Sequence, residues 1–164
     1  MVLMPEPVEK AIRSVKSKDS HVVYLTPQGT PLTAKRCAEL AQKPHLVVLC
    51  GHYEGIDERV IKSEVDEEIS IGDYVLTSGA PAAIVLVDSV SRFIPGVIGN
   101  EEAARQDSFE DGKFDAPVYT RPPVYKGMEV PEVLQNGNHA KILAWRKQMA
   151  QEKTDRVRPD LKVK

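Results

Sequence analysis

A chain of 164 residues, 41% hydrophobic and 28% charged, is long enough to bury one core of ordinary size and is balanced like a globular protein rather than a disordered or fibrous one. No apolar run reaches the roughly 18 to 20 residues of a membrane span, and Met1-Val2-Leu3-Met4-Pro5-Glu6-Pro7 lacks the basic-then-apolar order of a secretory signal, so the expectation is a cytoplasmic protein with no membrane partner. The net charge of -2 argues against a uniformly basic nucleic-acid binder, yet charge is unevenly spread, with +5 over residues 139–164 and -7 over the rest.

Pro5 and Pro7 suit a first helical turn, and Val8, Ile12 and Val15 recur behind them at helical spacing. Residues 21–25 are β-branched and apolar enough for a buried strand, which Thr26-Pro27-Gln28-Gly29 should end in a turn. Thr33 can cap a second helix in which Ala34, Cys37, Ala38 and Ala41 make a small-residue face. Residues 45–50 read as a second buried strand ending at Gly51. Two continuously apolar strands separated by a helix predict a parallel α/β sheet with helices on its faces. Ligands on such sheets collect outside the carboxyl ends of the strands. Thr26-Pro27-Gln28 and Gly51-His52-Tyr53-Glu54 both fall there, and a third loop, residues 71–79, follows a strand-like 68–71.

Residues 80–93 are apolar nearly all round and predict a buried helix, with Ser78 able to cap it and Pro81 in its first turn. Asn100 can cap a short helix over residues 101–105. Residues 107–137, with Pro117, Pro122, Pro123 and Pro131, read as a long connecting segment of the kind that is usually functional or mobile. Asn138 then caps a helix carrying Ile142, Trp145 and Met149 on one side, and after Lys153 the pattern dissolves into a polar tail. The basic excess at this end fits either a solvated helix and tail or an RNA-facing strip.

Cys37 and Cys50 have no Cys-x-x-Cys spacing, and His21, His45, His52 and His139 have no metal-ligand spacing, so two buried thiols in a reducing compartment are expected, with no metal centre from these residues. Gly-x-Gly-x-x-Gly, Walker A, Gly-x-Ser-x-Gly and His-Glu-x-x-His are absent, which removes the commonest nucleotide, hydrolase and zinc-protease readings. Glu64, Asp66, Glu67 and Glu68 could gather a magnesium ion, although a solvated acidic edge is the plainer reading.

The stretch over residues 70–109 organises the rest. Gly72 and Gly79 lie seven residues apart in a loop that passes into the apolar helix, which suggests backbone held close to a ligand. Ile71-Gly72-Asp73-Tyr74-Val75-Leu76, Asp88-Ser89-Val90-Ser91-Arg92-Phe93-Ile94-Pro95-Gly96 and Asp107-Ser108-Phe109 resemble the bacterial tRNA (guanine37-N1)-methyltransferases of the SPOUT superfamily. Further matching blocks are Tyr24-Leu25-Thr26-Pro27-Gln28-Gly29, Cys50-Gly51-His52-Tyr53-Glu54-Gly55-Ile56-Asp57-Glu58-Arg59, Tyr119-Thr120-Arg121-Pro122 and Gly137-Asn138-His139-Ala140.

The resemblance implies an α/β fold of SPOUT type, a parallel sheet tied in a deep trefoil knot and followed by the start of a C-terminal helical region. It implies a cofactor-binding domain over residues 1–106, a linker carrying the catalytic base over 107–137, and the start of a tRNA-binding domain over 138–164. S-adenosyl-L-methionine is the implied cofactor, tRNA with guanine at position 37 the implied substrate, and a homodimer with shared active sites the implied assembly. Carried over residue by residue, Tyr24, Leu25, Thr26, Pro27, Gly51, Tyr53, Glu54, Ile71, Gly72, Tyr74, Leu76 and Gly79 would surround the cofactor. Loop backbone would read adenine, with Leu25, Ile71 and Leu76 as apolar walls.

Guanine N1 carries a proton at neutral pH, so its methylation requires a base, and the negative charge that develops on O6 calls for a fixed cation. The family motif points to Asp107 as the base and Arg92 as the cation. Outside that motif they would read as a loop or cap carboxylate and a helix-end charge.

Two departures from the family pattern stand out. Ser78-Gly79-Ala80 replaces the usual Gly-Gly-Glu, removing a carboxylate beside the cofactor loop. Family members also begin before the segment matching Met1-Val2-Leu3-Met4 and continue after Arg158-Pro159-Asp160-Leu161, so a truncated chain is expected. Besides the guanine methyltransferase, the open readings are a SPOUT enzyme with another RNA target and a cofactor- or RNA-binding remnant without activity.

Overall fold

Alternation along one strand sets the architecture of the first part of the chain. In β1 (Ser20–Pro31), successive side chains point to opposite faces, and both faces are buried between Val22 and Leu25. Val22 and Tyr24 pack with Ile12, Ile56 and Val60 on one side. Val23 and Leu25 pack with Cys37, Leu40, Ile69, Ala82, Leu86 and Val90 on the other. In the first group Ile12 belongs to α1 (Pro5–Val15) and Val60 to α3 (Glu58–Glu64); in the second, Cys37 and Leu40 belong to α2 (Ala34–Leu40), and Ala82, Leu86 and Val90 to α4 (Ala80–Ser91). A strand that is apolar on both faces needs a helical layer on each, and these four helices supply them.

The computed structural model describes residues 1–99, 107–109 and 112–161. The expected helix over 101–105 and its Asn100 cap lie outside the described residues. Two compact units are distinguished, Met1–Glu101 and Glu102–Lys164.

In the first unit β2 (His45–Cys50) and β3 (Glu67–Ser70) flank β1 in the order β2-β1-β3. Both pairings are parallel, running from Ser20 opposite His45 to Leu25 opposite Cys50, and from Val23 opposite Glu67 to Leu25 opposite Ile69. The parallel α/β sheet expected from the sequence is therefore present. β2 is only half-buried because it lies at one edge of this described sheet, not in its middle as its apolar run suggested. The chain leaves β1 toward β2 through α2, then returns past β1 to β3 through α3 on the opposite face. Such a reversal opens a crevice at the strand ends.

β1 does not stop at Thr26. Pairing with β3 breaks after Leu25 and resumes with Thr30 opposite Ile69 and Pro31 opposite Ser70, so the predicted turn is a bulge inside a longer strand. Gly29 explains the course of the chain: a Cβ there would fall 2.5 Å from backbone atoms of Glu68 and Ile69. Only a residue without a side chain lets the two segments pass so closely.

Local signals place most helix ends. Thr33 caps α2 by accepting the N–H of Arg36, and Asp57 caps α3 by accepting that of Arg59. The N-cap of α4, however, is Gly79 with no side-chain bond, not Ser78. Nor is α4 buried all round: Ala82, Leu86 and Val90 face the core, whereas Ile84 is 71% exposed and Val87 58%.

In the second unit, α5 (His139–Val157) follows an Asn138 cap that accepts the N–H of Lys141. It runs past Lys153, where a polar tail was expected, because Thr154 anchors its last turns. Thr154 is 2% exposed; its hydroxyl donates to the Ala150 carbonyl and accepts the N–H of Phe114. The proline-rich segment is not wholly irregular either. It contains a hairpin, β4 (Val124–Tyr125) with β5 (Met128–Glu129), closed by Lys126 and Gly127 at φ 49° and 77°, and a 3-10 turn at Glu132–Leu134. Positive φ at both central positions is the turn that matches the twist of a two-stranded ribbon.

Candidate functional site

The carboxyl ends of β1, β2 and β3 open into a cleft of about 350 Å³. Three segments wall it: residues 26–28 in the bulge of β1, 51–55 after β2, and 71–79 after β3. All twelve residues expected around the cofactor line this one cleft, Tyr24, Leu25, Thr26, Pro27, Gly51, Tyr53, Glu54, Ile71, Gly72, Tyr74, Leu76 and Gly79.

Glycines bring the loops together. The Gly79 N–H donates to the Gly51 carbonyl at 2.9 Å, and a Cβ on Gly79 would fall 2.9 Å from the Cα of Cys50. A Cβ on Gly51 would fall 3.0 Å from the Tyr24 hydroxyl. Gly72 has φ of 154°, and a Cβ there would overlap the Tyr74 ring. The third loop is closed from within by Ser70, buried at the end of β3, whose hydroxyl donates to the Gly72 carbonyl at 3.0 Å and accepts the Gly72 N–H at 3.2 Å. The Tyr74 hydroxyl donates to the Ile71 carbonyl at 3.2 Å.

The second loop is held at its outer edge. The Leu3 N–H donates to the Gly55 carbonyl at 2.9 Å, and the Glu54 N–H to the Met1 carbonyl at 3.0 Å. Tyr53 sits at φ 58°, in the left-handed region that a bulky residue seldom occupies. Strained backbone of this kind clusters at functional sites.

The cleft is anionic. Glu54, Glu58 and Glu68 line it, and among the described residues no Lys or Arg does. Such a lining repels phosphates and suits a ligand with net positive charge, while Leu25, Ile69 and Ile71 offer an apolar wall for a flat heterocycle. Burial, reinforced by the neighbouring Glu68 carboxylate, pushes the Tyr24 phenol above its ordinary value, so Tyr24 presents a neutral hydroxyl at pH 7. Glu68 and His52 were not among the expected cofactor residues. Glu68 went unread because only the β1–β3 register sets it opposite Tyr24, whereas His52 was legible, sitting inside the Gly51-His52-Tyr53-Glu54 block.

The acidic residues considered for magnesium do not converge. Glu64 accepts from Arg13 at 2.7 Å and lies 3.4 Å from the Lys16 ammonium. Glu67 is paired with Arg36 and His21, Asp66 accepts the Val22 N–H at 2.8 Å, and Glu68 lines the cleft. Among the described residues no group of three or more His, Cys, Asp or Glu is arranged to hold a metal ion. Of the two thiols only Cys37 is buried; Cys50, at the end of an edge strand, is exposed.

Arg92 and Asp107 fall in different compact units. Arg92 is the C-cap of α4. Asp107 is half-buried and opens a segment in which the Ser108 hydroxyl accepts the Asp115 N–H at 3.0 Å and the rings of Phe109 and Phe114 meet edge to face at 5.5 Å. The Thr154 bond to Phe114 ties this segment to α5. No described helix is long and apolar enough to cross a membrane.

The whole chain, residues 1–164, matches the family described as tRNA (guanine-1)-methyltransferase TrmD. A protein of Chlamydia abortus described as tRNA (guanine-N(1)-)-methyltransferase is 62% identical over 164 residues, all of this chain and 46% of that protein. One of Chlamydia trachomatis serovar D with the same description is 62% identical over 161 residues, 98% of this chain and 46% of its own length. One of Protochlamydia amoebophila is 59% identical over 161 residues, 98% of this chain and 72% of its own. The chain thus spans about half the length of the Chlamydia relatives it matches.

Proposed function

The chain belongs to the tRNA (guanine-1)-methyltransferase family, and from that premise we infer that it serves methyl transfer from S-adenosylmethionine to N1 of guanine 37 in tRNA. The observation that carries the reading is the cleft at the strand ends, where three glycine-pinned loops meet a lining that carries Glu54, Glu58 and Glu68 and, among the described residues, no Lys or Arg. S-adenosylmethionine fits those residues: its sulfonium and ammonium outnumber its one carboxylate, and adenine suits the wall of Leu25, Ile69 and Ile71. When bound it supplies a methyl group activated by a neutral thioether leaving group.

The remaining chemistry belongs to side chains. The Asp107 carboxylate takes the N1 proton as the new N–CH3 bond forms, so the nitrogen lone pair, not a protonated ring, attacks. The Arg92 guanidinium offsets the negative charge that moves onto O6, an interaction stronger in the transition state than in the ground state. The four carboxylates considered for magnesium are committed to Arg13, Lys16, Arg36, His21 and the Val22 N–H or line the cleft, so none of these four is assigned to the ion.

The same reading carries the finer architecture: a trefoil knot, a linker bearing the base, a helical tRNA-contacting region, a homodimer with shared sites and a cytoplasmic location. Support for the knot is the close passage of Gly29 across the backbone of Ile69. Support for the dimer is the apolar face of α4 left open by the fold, Ile84, Val85 and Val87. Support for tRNA contact is the set Lys141, Arg146, Lys147, Lys153 and Arg156 on α5 against only Glu152 and Asp155.

The test pairs a calorimetric titration of S-adenosylmethionine with a methyl-transfer assay on tRNA transcripts bearing G37 or A37. Saturable binding and methylation of G37 alone are expected. Methylation of both transcripts would defeat the guanine assignment, and binding without turnover would reduce the chain to a cofactor-holding unit.

A further inference from the structure

His52 stands where the two outer loops of the cleft meet, and two of its polar groups brace the loop that carries it. Its backbone forms an isolated antiparallel bridge with Ser78 of the third loop. Its carbonyl oxygen accepts the Gly55 N–H at 3.2 Å. Its ring Nδ1 accepts the N–H of Tyr53 at 2.9 Å.

Tyr53 is the residue that needs holding. Its φ of 58° places a bulky L side chain where glycine sits without cost. The imidazole and phenol rings lie against each other, centroids 4.4 Å apart at 45°, while Tyr53 remains 62% exposed on the cleft lining. An N–H is received only by an unprotonated ring nitrogen, so this contact selects the His52 tautomer with its proton on Nε2.

We propose that His52 is a positioning residue: by accepting the Tyr53 N–H it keeps residues 51–55 in the left-handed turn that presents Tyr53 and Glu54 to the cofactor. This rests on the cofactor reading of the cleft given above. The role belongs to the acceptor atom, not to the ring. Asparagine can take it over, because Asn Oδ1 is as many bonds from the backbone as His Nδ1. Alanine has no acceptor, and glutamine places its own one bond too far.

The test is calorimetric titration of S-adenosylmethionine into the 164-residue chain and its His52→Asn, His52→Ala and His52→Gln variants, each checked for folding by its thermal midpoint. His52→Asn should bind within about threefold of the unaltered chain, and His52→Ala and His52→Gln about tenfold more weakly, the worth of one hydrogen bond and the turn it holds. Equal affinity in all four, or equal loss in Asn and Ala, would overturn the proposal. Should His52→Ala fail to fold, the Asn and Gln pair carries the same decision. Failure of the unaltered chain to bind would overturn the cofactor reading itself, and this proposal with it. A readout independent of the cofactor is the long-range nitrogen–proton correlation spectrum of the His52 ring at neutral pH. Nδ1 without a proton is expected, and a protonated Nδ1 would sink the idea.

Discussion

The backbone N–H of Gly79 donates to the carbonyl of Gly51 at 2.9 Å, so the loops after β2 and β3 are joined through two residues that have no side chain. Gly79 has φ of -74°, which any residue adopts; what demands glycine is the neighbour, because an alanine methyl would stand 2.9 Å from Cys50 Cα and 3.0 Å from the Gly51 nitrogen. Gly79→Ala should therefore push the loops apart and weaken S-adenosylmethionine binding by about tenfold or more, while the distant core keeps the thermal midpoint within about 5 °C. Calorimetry and a thermal scan on one sample check both halves. Unchanged affinity would mean that the loops accommodate the methyl group.

Asp107→Asn keeps the shape of the side chain and removes its basicity. Methyl transfer to G37 tRNA should fall by about 10² to 10⁴ fold, the usual worth of general-base catalysis, with cofactor affinity nearly unchanged. Activity within a few fold of the unaltered chain would take the base role away from Asp107. Arg92→Ala should lower kcat more than it raises KM, because its contact with O6 strengthens as charge develops.

Glu64 ties two helices of one layer together. Its carboxyl lies below the ordinary glutamate value, first because Arg13 donates to it, with burial opposing and Lys16 assisting. A carboxyl whose folded value is depressed adds stability that is fully present above its unfolded value, near about 4.3, and is lost as pH falls through the lower folded one. Glu64→Gln should lower the thermal midpoint by about 2–5 °C at pH 7 and make no difference at about pH 2.5 if the chain is still folded there. An equal deficit at both values would show that packing, not the charge, is what Glu64 contributes.

The open face of α4 offers a direct test of assembly. Ile84 and Val87 are more than half exposed, so replacing both with glutamate should cost little in the folded monomer yet place charges against an apolar partner. Sedimentation should show the unaltered chain as a dimer and the Ile84→Glu, Val87→Glu variant as a folded monomer. A dimer that survives the change would remove this face from the interface.

Much of this protein was legible before its fold was known, wherever the information is local. Continuous apolar runs in residues 21–25 and 45–50 foretold parallel strands, and Thr33 and Asn138 sit at the helix starts their hydroxyl and amide oxygens cap. The three loops were expected at one sheet edge because parallel strands must end together. Each of these follows from backbone preference and side-chain period, which act over a few residues.

What went unread depends on segments remote in the chain. That β1 carries on to Pro31 is settled by pairing with β3, a full helix-strand-helix further along, and by the clearance Gly29 gives to Ile69. That β2 lies at an edge and α4 keeps an apolar face open follows from which elements find partners, not from their own composition. The carboxylates from Glu64 to Glu68 look like one acidic run in sequence, yet Arg13, Arg36, His21 and the backbone of Val22 divide them. Short-range sterics and period write the elements into the chain; burial and charge pairing, which act only once distant residues meet, select among the ways of joining them.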